Sequence, residues 1–170
     1  MPISLLPKAI TDSITDLTVP QLQLWGVRLL MMDFDNTIIP YTTDIPTPEV
    51  ERWLQDMKQS GIHLCVVSNS RKERVKQFCK KYDLNCVTHA KKPFSKGIRE
   101  SISLYQIPQE ACALVGDQIY TDILGANCCG VRSILVQSIH NHTIWLKARH
   151  VLEVPFIYLA KKRRINHEKH

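Results

Sequence analysis

One stretch constrains this chain more than any other: Arg28-Leu29-Leu30-Met31-Met32-Asp33-Phe34-Asp35-Asn36-Thr37. Four consecutive apolar residues run straight into two carboxylates two positions apart. A short, unbroken apolar run predicts a strand buried on both faces, as in the core of a parallel sheet. In an open parallel sheet, chemistry collects beyond the carboxyl ends of the strands, where Asp33 and Asp35 stand. On a continuing strand, residues i and i+2 point the same way. Two like charges aimed at one spot repel unless a cation lies between them or one is protonated. A hard oxygen-ligand site for Mg²⁺ meets that need. A strand ending in an acidic turn is the other reading of so short a motif.

Strand and helix signals alternate along the rest of the chain. Pro20 suits the start of a short helix carrying Leu22, Leu24 and Trp25, closed by Gly26. Thr47 and Pro48 form a helix start, and Val50, Trp53, Leu54 and Met57 follow on one apolar face. Ile62–Val67 predicts a second strand, delivering Ser68, Asn69 and Ser70. Ser70 with Glu73 offers a capping box to a helix buried through Val75, Phe78, Cys79 and Tyr82. Leu84–Val87 is a third strand. Ser95 can cap a helix bearing Ile98, Ile102 and Tyr105. Ala111–Val115 predicts a fourth strand, Ile119–Cys128 a helix stopped near Gly130, and Val131–Val136 a fifth strand. The pattern predicts an α/β class, a Rossmann-like three-layer sandwich around a parallel sheet of about five strands. Residues 1–17 carry no pattern that places them.

Four strand ends then carry polar groups. Asp33 and Asp35 follow the first strand and Ser68 the second. Lys92 lies in the loop after the third, and Asp117 with Asp122 follows the fourth. This order resembles the haloacid dehalogenase superfamily of phosphotransferases. Its first motif, Asp-x-Asp-x-Thr, is matched by Asp33-Phe34-Asp35-Asn36-Thr37. Its strand-end hydroxyl is matched by Ser68, its lysine by Lys92, and its acidic pair by Gly116-Asp117 and Asp122. The resemblance implies a phosphomonoester substrate, with Asp33 as nucleophile and Asp35 as acid and then base. It implies Mg²⁺ held by Asp33, Asp117 and the main-chain carbonyl of Asp35. Ser68 and Asn69 are expected on the substrate side, Lys92 on the nucleophile and phosphoryl group, and Asp122 as support for the metal or Lys92. Locally, Ser68, Asn69 and Ser70 also suit helix capping, and Lys91 also suits the lysine role, although Lys92-Pro93 matches the family's ending.

Thr37 to Ser68 leaves room for a loop, a helix and a strand. Ser68 to Lys92 leaves room for a helix and a short strand. Neither gap holds a folded cap, so an open site is expected, with selectivity coming from a large substrate, a membrane headgroup or an oligomer neighbour acting as lid. Leu5-Leu6-Pro7, Lys92-Pro93 and the run from Gly116 to Asn127 are similar to the YqeG family of subclass IIIA phosphatases. That family is similar to the mitochondrial phosphatidylglycerophosphate phosphatase of fungi, which implies a phospholipid phosphomonoester. Nucleotides, sugar phosphates and nucleic-acid ends stand as alternative substrates. A binding module such as a receiver-like phosphoacceptor is disfavoured by the Asp-x-Asp-x-Thr motif.

Charge enters here. The chain of 170 residues carries a net charge of +6, and residues 141–170 hold 7 Lys/Arg against 2 Asp/Glu. The cluster Lys161-Lys162-Arg163-Arg164 suits an anionic membrane surface, a nucleic acid, or solvent alone. One domain over 1–170 is expected, with a basic tail from about 141. No signal-peptide pattern opens the chain, so the expected location is cytoplasmic with peripheral membrane contact. The six cysteines read as core residues in a reducing compartment, with Cys128-Cys129 a faint metal or redox hint.

Overall fold

In a computed structural model, residues 4–70 and 73–139 are described. The basic cluster Lys161–Arg164, the apolar residues from Trp145 to Leu159, and residues 71–72 inside the anticipated Ser70–Glu73 capping box lie outside them.

The strands are β1 (Ala9–Thr11), β2 (Leu29–Met32), β3 (His63–Val67), β4 (Asn85–Val87), β5 (Cys112–Gly116) and β6 (Arg132–Val136). The helices are α1 (Val19–Leu24), α2 (Pro48–Gln59), α3 (Glu73–Lys81), α4 (Lys96–Tyr105) and α5 (Leu124–Cys128). All strand pairs are parallel, in the order β1-β6-β5-β2-β3-β4. Every residue of β2 is buried, as its unbroken apolar run requires. Leu30 and Met32 pack with Leu22, Trp53, Leu54 and Phe78 on one face. Leu29 and Met31 pack with Ile98 and Ala126 on the other. The three-layer sandwich follows from that alternation.

The chain winds outward from β2 through β3 to β4, then returns to the other side of β2 as β5. The order therefore reverses between β2 and β5. Outside the carboxyl ends of such a pair, the connections diverge and leave a crevice. Asp33 directly follows β2, and Asp117 directly follows β5.

Local chemistry sets most element ends. The Thr47 hydroxyl accepts from the Val50 N–H at 3.3 Å, ahead of Pro48. Val50, Trp53, Leu54 and Met57 are all buried. Burying each is worth about 1.5–3 kcal/mol.

One expectation needs correction and two are refined. Among the described residues the sheet has six strands, one more than the pattern's about five. Residues 9–11 pair with 134–136, and three half-buried residues carry no periodic signal of that remote pairing. Ser95 does not cap α4: its backbone is already helical and its side chain accepts no capping bond. The helix after Asp117 opens as a π-helical turn, Ile119–Ile123, before α5. The wider turn buries both Ile119 and Ile123 against Leu135. Between Thr37 and Lys92, the described residues hold α2, β3, α3 and β4 and no inserted cap. All six cysteines are free thiols; Cys129 is buried and Cys128 exposed. Among the described residues, no helix is long and apolar enough to cross a membrane.

Candidate active site

The β2 run ends at Met32, and Asp33 is buried just beyond it. Phe34 turns into the core against Phe78, edge to face at 5.2 Å between ring centroids. Burying Phe34 between them turns Asp33 and Asp35 away from the core. Asn36 takes a left-handed conformation (φ 61°), which Asn tolerates. Its side-chain oxygen accepts from the Tyr41 N–H at 3.1 Å, and its carbonyl accepts from the Ile139 N–H at 3.1 Å.

Lys92 lies at the centre. Its Nζ donates to Asp33 Oδ1 at 2.6 Å and pairs with Asp122 Oδ1 at 2.7 Å. Its side chain is 1% exposed, whereas Lys91 is exposed. Of the two lysines, the fold therefore brings Lys92 to the carboxylates. Two amide contacts hold its backbone: Lys92 N–H donates to Asn69 Oδ1 at 2.7 Å, and Asn69 Nδ2 donates to the Lys92 carbonyl at 3.0 Å. Asn69 was expected on the substrate side; its amide is engaged with the Lys92 main chain. Gly97 backs the same loop, since a Cβ there would strike the backbone of Ala90.

Asp122 is buried in the π-helical turn. Its Oδ2 accepts from the Gln118 N–H at 3.1 Å, while Oδ1 faces Lys92. A Cβ on Gly116 would fall on the Asp122 carboxylate. Gly116→Ala should therefore displace Asp122, costing about 1–3 kcal/mol, the usual range for overpacking. Urea unfolding would measure it, and an unchanged midpoint would mean that the turn accommodates the methyl group. Ser68 is buried at the end of β3, where its Oγ accepts from the Ser70 N–H at 3.0 Å.

Burial pushes the Asp33 carboxyl up to about 7, with Lys92 pulling the other way. Burial, then Asp33 and Asp122, pushes Asp117 up to about 8. Burial alone would lower Lys92, but Asp122 and Asp33 outweigh it and hold the ammonium above its ordinary value. One ammonium thus faces three buried carboxylates.

The donor set fits a divalent cation. Asp33, Asp117 and Asp122 each offer an oxygen within 4.8 Å of the others, and Asp117 Oδ1 is buried without a hydrogen-bond partner. Both Asp122 oxygens already have partners, so Asp33 and Asp117 are the better ligands and Asp122 the support for Lys92. A hard cation would neutralise the charge that Lys92 leaves unpaired.

Arg74 carries no signal that marks it in the sequence, yet it belongs to this region. From the first turn of α3 its Nη1 donates to Asp35 Oδ1 at 3.0 Å, across 39 positions of chain. Its neighbours Val75 and Phe78 mark only the buried face of the helix.

A buried lysine among carboxylates thus lies where a parallel sheet reverses its order, an arrangement suited to binding an anionic group. The model describing haloacid dehalogenase-like hydrolases matches residues 26–130, and the chain belongs to that family. It is a phosphatase of the family. Over 131 residues it is 32% identical to the probable phosphatase YqeG of Bacillus subtilis, spanning 77% of this chain and 76% of that one. Among solved structures it is similar to a haloacid dehalogenase-superfamily hydrolase from Ehrlichia chaffeensis. That pair has 15% identity and a TM-score of 0.52, over 72% of this chain and 97% of that one. It is also similar to the cobalt-bound deoxy-D-mannose-octulosonate 8-phosphate phosphatase of Haemophilus influenzae. There the identity is 10% and the TM-score 0.55, over 75% and 77% of the two chains. At these identities the two structures support the fold.

Proposed function

We propose that the protein is an Mg²⁺-dependent phosphomonoesterase that forms an aspartyl-phosphate on Asp33 and acts on a phospholipid headgroup. The observation that carries the chemistry is Lys92 Nζ, buried at 2.6 Å from Asp33 and 2.7 Å from Asp122. Asp33 attacks phosphorus as the bond to the leaving oxygen breaks, and Asp35 gives that oxygen its proton. The Asp35 carboxylate then takes a proton from the water that attacks the aspartyl-phosphate, and phosphate leaves. Lys92 balances charge on Asp33 and on the phosphoryl group in transfer. Ser68 is suited to hold a phosphoryl oxygen. Mg²⁺ held by Asp33 and Asp117, with the Asp35 carbonyl, would supply the remaining positive charge.

The mouth of the site supports the lipid. Six large apolar side chains are exposed among the described residues, and four of them follow carboxyl ends of strands: Tyr41 (53%), Ile45 (72%), Phe94 (74%) and Ile139 (40%). Tyr41 and Ile139 bond through their backbones to Asn36, and Phe94 closes a turn onto Lys91 at 2.9 Å. An apolar rim around a site with no inserted cap among the described residues suits a headgroup presented at an interface. The stretch containing Lys161, Lys162, Arg163 and Arg164 would add attraction to anionic lipid.

Phosphate release should be measured with Mg²⁺ and with EDTA. The panel holds phosphatidylglycerophosphate in mixed micelles, a nucleoside monophosphate, a sugar phosphate and a 3′-phosphorylated oligonucleotide. The expected result is turnover lost in EDTA and strongest on the lipid, with Phe94→Ser lowering the micellar rate alone. Preference for a soluble sugar phosphate or nucleotide would keep the chemistry and remove the lipid. Preference for the oligonucleotide would reassign the basic stretch to nucleic acid. Activity that rises steeply with protein concentration would point to a neighbouring copy as lid.

A further inference from the structure

We propose that Arg74 is a positioning residue for the reaction, setting the orientation of the Asp35 carboxylate and tying the loop after Asp35 to α3. This rests on the reading of Asp35 as acid and base.

The geometry is specific. The Arg74 side chain is 12% exposed, and its guanidinium meets acceptors from three directions. Nη1 donates to Asp35 Oδ1 at 3.0 Å and to the Tyr41 carbonyl at 2.9 Å. Nη2 donates to the Pro40 carbonyl at 3.1 Å and to the Thr43 carbonyl. Nε faces Asp44 Oδ1 at 2.6 Å. The cation also lies 5.2 Å from the centroid of the Phe34 ring and 5.8 Å from that of Tyr41. Phe34 is fully buried and is the residue between the two motif carboxylates.

A guanidinium is a rigid planar fork, so several acceptors on one plane fix that plane. Turning Arg74 would break its bonds to three carbonyls at once. Asp35, in contrast, lies past the end of β2 and is only partly buried. With one oxygen fixed by Arg74, its carboxyl group cannot swing freely about its own side-chain bonds. Proton delivery depends on such orientation, because a misdirected acid contributes little even at short range. Arg74 is committed to protein acceptors, which makes it a residue acting through Asp35 rather than on the substrate. The same fork holds Pro40, Tyr41 and Thr43, so the loop at the mouth and the acid are braced by one side chain.

A clamp that only held the loop would slow all substrates alike. A residue that orients the acid matters most where the leaving oxygen needs a proton. The test compares kcat/KM for an alkyl phosphate and for p-nitrophenyl phosphate, whose leaving group departs unprotonated. The variants are Asp35→Asn, Arg74→Ala, Arg74→Lys and Thr43→Val, with thermal unfolding of each. Asp35→Asn should lower the alkyl-to-aryl ratio by about 10²-fold, the lower range of general acid catalysis. Arg74→Ala should lower it by about tenfold or more, the scale of a misplaced reacting group. Arg74→Lys keeps the charge without the fork and should fall between Ala and wild type. It also serves if the Ala variant fails to fold. Thr43→Val removes only the bond by which the Thr43 hydroxyl accepts from the Ile45 N–H at 3.2 Å, loosening the loop without removing an acceptor of the guanidinium, and should keep the wild-type ratio. If Asp35→Asn shifts the ratio and neither Arg74 variant does, Arg74 is a loop clamp and the proposal is overturned. If Asp35→Asn leaves the ratio unchanged, the acid lies elsewhere and the proposal falls with that reading.

Discussion

Asp33→Asn is expected to abolish turnover, by on the order of 10⁴-fold or more in kcat, and to leave the protein as stable as before or slightly more so. The amide has the shape of the carboxylate and keeps an oxygen for Lys92 Nζ, which lies 2.6 Å from Asp33 Oδ1. It removes one charge from a buried group of three carboxylates faced by one ammonium. Burial already pushes the Asp33 carboxyl up to about 7, so its ionised form is held against its environment. Removing that charge relieves repulsion with Asp117 and Asp122 while removing the oxygen proposed to attack phosphorus. Sites that strain a fold for chemistry often show this opposition between stability and activity. Single-turnover kinetics and urea unfolding in EDTA measure the two effects. An Asn variant keeping a tenth of wild-type kcat would exclude Asp33 as nucleophile.

Lys92→Met is expected to have the largest effect on stability. Methionine retains much of the apolar stem and removes the charge. Asp33, Asp117 and Asp122 are then buried with no ammonium among them. Breaking a buried ion pair from one side typically costs about 3–5 kcal/mol, because the partner stays buried and unpaired. Here one lysine serves two partners, Asp33 and Asp122. Magnesium should recover part of the loss by binding the unpaired carboxylates, so the urea midpoint of the variant should respond to Mg²⁺ more than that of the wild type. Turnover should fall as well, because the phosphoryl group loses its cation. The control is Lys91→Met: Lys91 is exposed, and surface changes of this kind usually stay within about 0.5 kcal/mol. Equal effects at the two positions would remove Lys92 from the centre of the site.

The two predictions differ in how far ahead of the structure they were legible. The run from Leu29 to Asp35 announces both a buried parallel strand and the carboxylates at its end, because an apolar block and a charged pair are local facts. Ser68, Lys92, Asp117 and Asp122 each follow a predicted strand, so their convergence could be read from order alone. The choice of Lys92 over Lys91 rests on the Lys92-Pro93 resemblance alone; its physical cause, Asn69 gripping the Lys92 backbone and Gly97 letting α4 approach Ala90, is visible only in the fold. Ser95 misled for a related reason. A hydroxyl before a helix is a capping signal, yet the chain there is already helical.

What the sequence by itself determined is the class of fold, the lack of room for a cap between Thr37 and Lys92, and the residue types at the strand ends. Those follow from periodicity and from the spacing between motifs, properties that neighbouring residues carry together. Only the tertiary structure decided that β1 closes the sheet beside β6, that Asn69 serves Lys92, and that Arg74 reaches back to Asp35 and its loop. Those contacts join residues far apart in the chain. A hydrogen bond of that kind leaves no periodic trace at either end, so it exists as information only once the chain is folded.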